Sequence, residues 1–295
     1  MCVKLSFCRT FFIGEIMNFK QLKSSLEQEF ESAGIKETSD IDWIVCEIVG
    51  KRRSELARIE KFSEEELLKI QNAISLRLEH IPIGYIFGKT NFYGYDLNVT
   101  KDVLIPRLDT EILVEKIIKD INKNVDKLSV LDIGTGSGAI AIVIKKETLA
   151  KVTAVDVSKS ALLVANQNAK LNNADIEFIE SNLFENLTDR KFDIIVSNPP
   201  YIESEVIKSL DKEVRDNEPV LALDGGNDGL DFYRKIVSAA PSHLYENGRL
   251  YFEIGYNQGE AVSKLMQDRF KNIEILKDYE GNDRVVLGEL LWLKN

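Results

Sequence analysis

The chain has 295 residues, of which 44% are hydrophobic, and it carries a net charge of −10 at pH 7. Such an acidic chain repels polyanions, which argues against a protein whose main task is to grip nucleic-acid phosphates. Its three cysteines and two histidines show no CxxC or HExxH spacing and no run of 18 apolar residues occurs, so we expect a cytoplasmic protein with no disulfide framework, metal site or membrane span.

The first sixteen residues resemble a signal peptide only faintly. Arg9 breaks the apolar stretch into short pieces, and no small-residue cleavage site follows it. We therefore predict that residues 1–16 are either an extension ahead of the folded chain or an artefact of start-site choice.

Amphipathic helices are predicted next. Between Asn18 and His80 the apolar residues recur at spacings of three and four, which is typical of helices with one buried face. Asp40 and Ser63 are the predicted N-caps, and Gly50 is a predicted C-cap. The pattern indicates a small helical bundle over residues 17–88.

A hairpin is predicted after the helices. Prolines and glycines end the helical periodicity, and the stretch IFGKTNFYGYDLNV alternates glycine and asparagine with short aromatic runs. This composition favours a hairpin linker over residues 89–104. Residues 105–295 then form the predicted second domain.

Strands and helices alternate in that domain. Its apolar runs are LSVLDIG, KVTAVDV, DIEFIE, FDIIVS and GRLYFEIG, and the segments between them have helical periodicity. Repeated βα units predict an α/β fold with a doubly wound, mostly parallel sheet. The runs IEILKDY and DRVVLGEL are separated only by EGND, which predicts an antiparallel hairpin at the edge of the sheet and brings it to seven strands.

A glycine-rich turn follows the first of these strands. The stretch VLDIGTGSGAIAI places Gly134, Gly136 and Gly138 before a helix, with Thr135 and Ser137 between them. Glycines at this point let the backbone approach a ligand closely. The spacing is GxGxG and not the GxGxxG of dinucleotide enzymes, so the turn alone is a weak signal.

Polar residues at the ends of the next two strands narrow the choice of ligand. Asp156 ends the second strand, 22 residues after Gly134, where its carboxylate can accept hydrogen bonds from both ribose hydroxyls or instead cap the next helix. Asn182 and Leu183 follow the third strand, where they either contact an adenine or form an ordinary loop. A ribose site without a phosphate-binding lysine favours S-adenosylmethionine over NAD or ATP.

The fourth strand ends abruptly at Asn198, Pro199, Pro200 and Tyr201. Neither proline has an N–H to donate, and each fixes φ near −65°, so the chain leaves the sheet with its carbonyls held in set directions. An Asn-Pro pair by itself is usually a turn. Its place at the ligand-binding edge of the sheet, beside the glycine turn, favours a functional role.

DIGTGSGAIA, VDVS and FDIIVSNPPYI together resemble the class I S-adenosylmethionine-dependent methyltransferases with an NPPY motif, and among these the release factor glutamine methyltransferases. The similarity extends to IPIGYIFGKTNFYG, VLIPRLDTEILVE, EVRDNEP, ALDGGNDGLDFYRKI, LYFEIGYNQG and GNDRVV. The chain departs from the usual family residues at Leu108, Asn182 and Leu183.

The resemblance implies S-adenosylmethionine as the cofactor and class I release factors as the protein substrate, methylated on the glutamine of a Gly-Gly-Gln motif. It implies that Asn198, Pro199, Pro200 and Tyr201 are catalytic, and that Asn198 also contacts the cofactor. The Asn198 oxygen and the Pro199 carbonyl would each accept one N–H of the substrate amide. The helical bundle would bind the rest of the substrate, and we expect no direct nucleic-acid contact.

Four alternatives stay open at this point. A glutamine methyltransferase of a ribosomal protein is the nearest, although the stretch RLDTE favours release factors. The others are a nucleic-acid amino-methyltransferase, a dinucleotide-dependent dehydrogenase and a non-catalytic S-adenosylmethionine-binding protein. The first of these three is disfavoured by the charge of −10, and the dehydrogenase by the glycine spacing.

Overall fold

The computed structural model describes residues 17–123 and 127–291. The chain divides into two compact units, with the boundary between Phe87 and Gly88. The predicted extension over residues 1–16 lies outside the described residues. Within the described ranges, no helix is both long and apolar enough to cross a membrane.

The first unit is a helical bundle, as predicted. Its helices are α1 (Phe19–Ala33), α2 (Ser39–Val49), α3 (Arg53–Leu56), α4 (Glu64–Leu78) and α5 (Ile83–Phe87). Ser63 caps α4, since its side chain accepts from the Glu66 N–H while the Glu66 carboxylate accepts from the Ser63 N–H. Gly50 ends α2 in the left-handed conformation. Both caps confirm the sequence predictions.

The N-cap predicted at Asp40 is wrong. Helix α2 begins at Ser39, and Thr38 occupies the cap position without a side-chain hydrogen bond. Asp40 lies inside the first turn, where its carboxylate accepts a 2.7 Å hydrogen bond from Nε of Arg77 on α4. Because the Arg77 side chain is only 2% exposed, its charge requires a carboxylate close by, and Asp40 supplies it.

The second unit begins with the predicted hairpin. Strands β1 (Lys89–Phe92) and β2 (Tyr95–Asn98) pair antiparallel. The backbone N–H of Asn98 donates to the side-chain oxygen of Asn168, and the Asn168 amide donates back to the carbonyl of Asn98. Asn168 belongs to the helix Lys159–Leu171, so these bonds hold the hairpin against the rest of the second unit.

A seven-stranded sheet forms the centre of this unit. Its strands are β3 (Ser129–Ile133), β4 (Lys151–Asp156), β5 (Ile176–Glu180), β6 (Phe192–Ser197), β7 (Leu244–Glu253), β8 (Phe270–Lys277) and β9 (Asp283–Leu290). Their order is β5-β4-β3-β6-β7-β9-β8. The neighbours from β5 to β7 pair in parallel, and β9 runs antiparallel to both β7 and β8. The predicted fold class is confirmed.

Helices cover both faces of the sheet. Helices α6 (Thr110–Ile121), α7 (Ala139–Glu147) and α8 (Lys159–Leu171) contribute to one apolar cluster, and α11 (Asp231–His243) and α12 (Gly259–Met266) to the other. Ile194 and Val196 of β6 belong to the first cluster and Ile195 to the second, as the alternation of a strand requires. Short helices α9 (Ser204–Ile207) and α10 (Lys212–Asn217) and a 3₁₀ turn (Val220–Ala222) lie between β6 and α11.

The carboxyl ends of the five parallel strands meet at one edge of the sheet. Gly134 follows β3, Asp156 ends β4, Ser181 follows β5 and Asn198 follows β6. The topology therefore brings together side chains that are far apart in the sequence.

Candidate active site

A cavity of about 280 Å³ opens at this edge of the sheet. Most of the predicted site residues line it, namely Gly134, Thr135, Gly136, Ser137, Asp156, Asn182, Leu183, Asn198, Pro199 and Pro200. Two predicted residues are not in its lining. Gly138 is the N-cap of α7, and Tyr201 packs against the apolar cluster under α11 and α12.

The glycine turn favours glycine because of its backbone angles, and not because a side chain would lack room. Gly134 and Gly136 have φ of +72° and +54°, and a Cβ added at either would meet nothing within 4 Å. The turn is also anchored to the next strand, because the N–H groups of Gly134 and Thr135 both donate to the carbonyl of Val155. The left-handed angles favour glycine, and they hold the backbone against the cavity.

A buried carboxyl group supports this turn from below. Asp132 is fully buried in β3, and its carboxylate accepts a 2.6 Å hydrogen bond from the Thr135 hydroxyl. Burial raises the pKa of Asp132 to about 7, and the bond from Thr135 opposes the rise. Asp132 was not among the predicted site residues, although an acidic residue inside an otherwise apolar strand is a visible signal.

Asp156 is held by backbone donors on both sides. One carboxylate oxygen accepts from the N–H of Gly136 and the other from the N–H of Ser158, each at 2.9 Å. Burial raises the pKa of Asp156, and these two hydrogen bonds oppose the rise. Helix α8 is capped by Ser158, whose side chain accepts from the N–H of Ala161, so Asp156 is not its N-cap. Each oxygen keeps a second acceptor site for a ligand hydroxyl.

The loop after β5 forms another part of the cavity wall. Leu183 has a φ of +52° and is half-buried, and its carbonyl accepts a 2.9 Å hydrogen bond from the Ser181 hydroxyl. The exposed Asn182 donates from Nδ2 to Glu185. A non-glycine residue in the left-handed region is uncommon, and here it turns an apolar side chain toward the cavity.

The Asn-Pro-Pro-Tyr loop is fixed by two glycine-containing segments whose role the sequence did not reveal. A Cβ on Gly225 would lie 2.7 Å from the Cα of Tyr201, and one on Gly229 would collide with the Tyr201 carbonyl. That carbonyl accepts a 3.0 Å hydrogen bond from Nε2 of Gln258. The segments ALDGGNDGLD and FEIGYNQG therefore pack closely against the loop that contains Asn198 and fix its position.

An ion pair closes the rim of the cavity. Arg107, which lines the cavity, donates from Nη2 to both carboxylate oxygens of Glu218 at 2.6 and 2.8 Å. The Glu218 side chain is 1% exposed. Its burial raises the pKa of its carboxyl, and the Arg107 charge opposes the rise. The pair joins the segment before α6 to the segment after α10. Pro219, which follows Glu218 directly, also lines the cavity.

Glu253 is a second buried acidic residue that sequence reasoning missed. It ends β7 beside the Asn198 loop and is 1% exposed. Burial raises its pKa to about 7, and the nearby side chain of Thr110, the charge of Arg284 and the side chain of Asn198 oppose the rise. Only the pairing of β6 with β7 places it here, so no local sequence pattern could have identified it.

Comparison with known proteins bears on both units. Residues 107–225 match the methyltransferase small domain and residues 21–88 the PrmC N-terminal domain. The release factor glutamine methyltransferase of Fusobacterium nucleatum is 42% identical over 257 residues, which cover 85% of this chain and 72% of that protein. That of Lactococcus lactis is 42% identical over 90% of this chain and 94% of its own.

Among solved structures, a methyltransferase from Pyrococcus furiosus has a TM-score of 0.52 and 19% identity, covering 73% of this chain and 98% of that one. That structure shares the fold, and the family-model match together with the curated relatives identifies the class as S-adenosylmethionine-dependent methyltransferases. Within this class, the chain belongs to the family of release factor glutamine methyltransferases. The resemblance seen in the sequence is confirmed, and the dehydrogenase alternative is set aside.

The donor set of the cavity fits S-adenosyl-L-methionine, the cofactor of this class. Asp156 keeps acceptor sites for ribose hydroxyls, and Leu183 offers an apolar contact for a flat ring. The open sides of Gly134 and Gly136 leave room for close approach. Across the described residues, no group of three or more His, Cys, Asp or Glu side chains is arranged to hold a metal ion.

Proposed function

We propose that this enzyme transfers a methyl group from S-adenosyl-L-methionine to the side-chain amide nitrogen of a glutamine in class I release factors, within their Gly-Gly-Gln motif. The observation that carries the proposal is the position of Asn198 and Pro199. Both line the same cavity as the glycine turn and Asp156, so an amide bound by them would lie beside the methyl donor. The names of the similar proteins support the choice of substrate.

An amide nitrogen is a poor nucleophile, because its lone pair is delocalised into the carbonyl. When bound, the cofactor supplies an electrophilic sulfonium methyl group. The residues of the chain orient the amide: the side-chain oxygen of Asn198 accepts one N–H and the backbone carbonyl of Pro199 accepts the other. As the bond from nitrogen to the methyl carbon forms and the carbon–sulfur bond breaks, positive charge grows on the nitrogen, and the same two acceptors stabilise it until one N–H proton is released to solvent. Pro200 keeps the loop rigid, since its φ is fixed and it has no N–H.

The other site residues bind the cofactor or support the loop. Residues 134–138, Asp156, Asn182 and Leu183 hold the cofactor, and Asn198 also contacts it. Tyr201 acts as a support for the loop, since its ring lies outside the cavity lining.

We assign the helical residues 17–88 to binding the body of the release factor, 89–104 to a linker and 105–295 to catalysis. We also expect the enzyme to work in the cytoplasm without direct nucleic-acid contact, because the net charge of −10 repels RNA.

Methyl transfer from labelled S-adenosylmethionine to a purified release factor tests the proposal. Asn198→Ala should lower kcat by about 100-fold or more, since it removes an acceptor that orients the amide. Asn166→Ala is the matched control. Asn166 is exposed, donates to the carbonyl of Leu162 on its own helix and is absent from the cavity lining, so this variant should stay within about two-fold of the wild type.

The target residue is tested with a release factor whose Gly-Gly-Gln glutamine is changed to alanine, which should take up no label. Label on that variant, or no label on the intact factor despite measured cofactor binding, would overturn the assignment. Label on ribosomal protein in place of release factor would favour the ribosomal alternative, which the similar proteins do not support.

A further inference from the structure

Asn168 is a fully buried polar side chain of α8 that joins two separate backbone segments. Its Oδ1 accepts a 2.7 Å hydrogen bond from the N–H of Asn98. Its Nδ2 donates to the carbonyl of Asn98 and to the carbonyl of Ser137, each at 2.9 Å. Because an asparagine amide has two N–H donors and one acceptor oxygen, these bonds use both donors and the acceptor together.

Both of these segments lead into the wall of the cofactor cavity. Ser137 belongs to the glycine turn and lines the cavity. Asn98 is the last residue of β2, and the chain beyond it supplies another part of the lining, namely Lys101, Asp102, Val103, Leu104, Pro106 and Arg107. One side chain therefore fixes the glycine turn relative to the segment that follows β2.

Helix α8 comes close enough to do this because two small residues meet. A Cβ added to Gly138 would lie 3.2 Å from the Cβ and 3.3 Å from the Cα of Ala165. Ala165 precedes Asn168 by three residues and so lies on the same face of the helix. The sequence predicted Gly138 as a cofactor residue, but the structure gives it a packing role, which brings Asn168 within reach of the Ser137 carbonyl.

The bonds to β2 alone would give Asn168 a purely structural role. Strand β2 pairs only with β1 within the described residues, and the Asn168 amide occupies its outer edge as the peptide group of a further strand would. The third bond differs, because it holds a carbonyl of the turn that the cofactor approaches. This bond connects the fold of the hairpin to the shape of the cavity.

We propose that Asn168 is a positioning residue for S-adenosyl-L-methionine, which holds the glycine turn and residues 99–107 at the separation that the cofactor requires. Asn168 is not in the cavity lining. It acts through the backbone of Ser137 and of Asn98 and does not touch the cofactor. The inference goes beyond the proposed function, since it concerns cofactor binding and holds for any methyl acceptor.

Two substitutions test the inference on the full chain. Asn168→Leu removes all three hydrogen bonds and leaves buried backbone groups without partners, which costs stability. Asn168→Ala removes the same bonds but leaves room for water to satisfy these groups, so it should stay folded even if the leucine variant does not. We expect the dissociation constant of S-adenosyl-L-methionine, measured by calorimetry without release factor, to rise by about 10-fold in Asn168→Ala, because the cavity is no longer preorganised.

Two further measurements distinguish positioning from a general loss of folded protein. Amide hydrogen exchange over residues 134–138 should accelerate in cofactor-free Asn168→Ala, because the turn has lost one of its attachments. In methyl-transfer assays, KM for S-adenosyl-L-methionine should rise in parallel with the dissociation constant, while kcat at saturating cofactor stays within about three-fold of the wild type. A smaller folded fraction would instead lower kcat and leave KM unchanged.

Asn172→Ala is the matched control. Asn172 directly follows α8, one helical turn beyond Asn168, and its Nδ2 donates to the carbonyl of Asp96 in the same hairpin at 2.9 Å. It is not in the cavity lining. This variant loosens the hairpin and leaves the bond to Ser137 in place, so its melting temperature should fall while the dissociation constant of the cofactor stays within about two-fold of the wild type.

The outcomes separate this inference from the proposed function. A dissociation constant in Asn168→Ala that equals the wild-type value, or one that rises equally in Asn172→Ala, would overturn the role of Asn168. A wild type that binds S-adenosyl-L-methionine but does not methylate the release factor would overturn the proposed function alone, since calorimetry and hydrogen exchange test Asn168 without any methyl acceptor.

Discussion

Gly229 and Gly281 both have backbone angles that other residues rarely adopt, with φ of +70° and +89°. A Cβ at Gly229 would collide with the Tyr201 carbonyl and lie 2.7 Å from Nε2 of Gln258, whereas one at Gly281 would meet nothing within 4 Å. Both alanine variants bear the backbone cost of about 1 to 2 kcal/mol. Only Gly229→Ala should also displace the loop that carries Asn198 and lower kcat by about 10-fold or more.

Melting temperatures and methyl-transfer rates of the two variants check this expectation at the residue scale. A lower melting temperature for Gly229→Ala than for Gly281→Ala, together with a loss of kcat measured well below that melting temperature, would identify the collision as the cause. Equal rates in the two variants would contradict it and assign the effect to backbone strain alone.

At the scale of elements, the pair between Arg107 and Glu218 should hold the segment from α10 to the 3₁₀ turn over the cavity. Glu218→Gln removes the charge of a side chain that is 1% exposed, so amide hydrogen exchange over residues 212–223 should accelerate and cofactor affinity should fall by about 3- to 10-fold. Asp216→Asn is the control, because Asp216 lies in α10 just ahead of Glu218. Its pair with Arg215 is exposed and contributes little, and similar exchange in both variants would contradict the proposed role of the buried pair.

Whether a feature of the fold or of the site could be predicted from the sequence depends on how far apart in the chain its interacting residues lie. The strands, the glycine turn and the cap at Ser63 were predictable, because apolar runs, glycine spacing and a capping box are local patterns. The pairing of Asp40 with Arg77 was not, since it joins two helices across the bundle. Glu253 was not predictable either, because it meets Asn198 only through the register of two strands that lie 55 residues apart in the chain. The residues that line the cavity are visible locally, while those that support it depend on tertiary contacts.

At the scale of the whole molecule, buried carboxyl groups make stability depend on pH. Burial raises the pKa of Asp132 and of Glu253 to about 7 and also raises those of Asp156 and Glu218. Between the unfolded value of about 4 and the folded value, the native state binds more protons than the unfolded state, so the free energy of unfolding must fall as pH rises. Carboxyl groups with lowered pKa, such as Asp278, have the opposite effect, but only in more acidic solution.

We therefore expect the melting temperature of the wild type to be higher at about pH 5.5 than at about pH 8, with each of the two strongly shifted groups contributing on the order of 1 to 3 kcal/mol to the difference. The double variant Asp132→Asn/Glu253→Gln has no proton to lose at either position, so calorimetry should show a clearly flatter dependence. Asp120→Asn removes a carboxyl group whose pKa is lowered, so it should leave the slope in this window unchanged. A wild-type melting temperature that rises between these two pH values would contradict the expectation and show that both groups are already ionised in the folded enzyme.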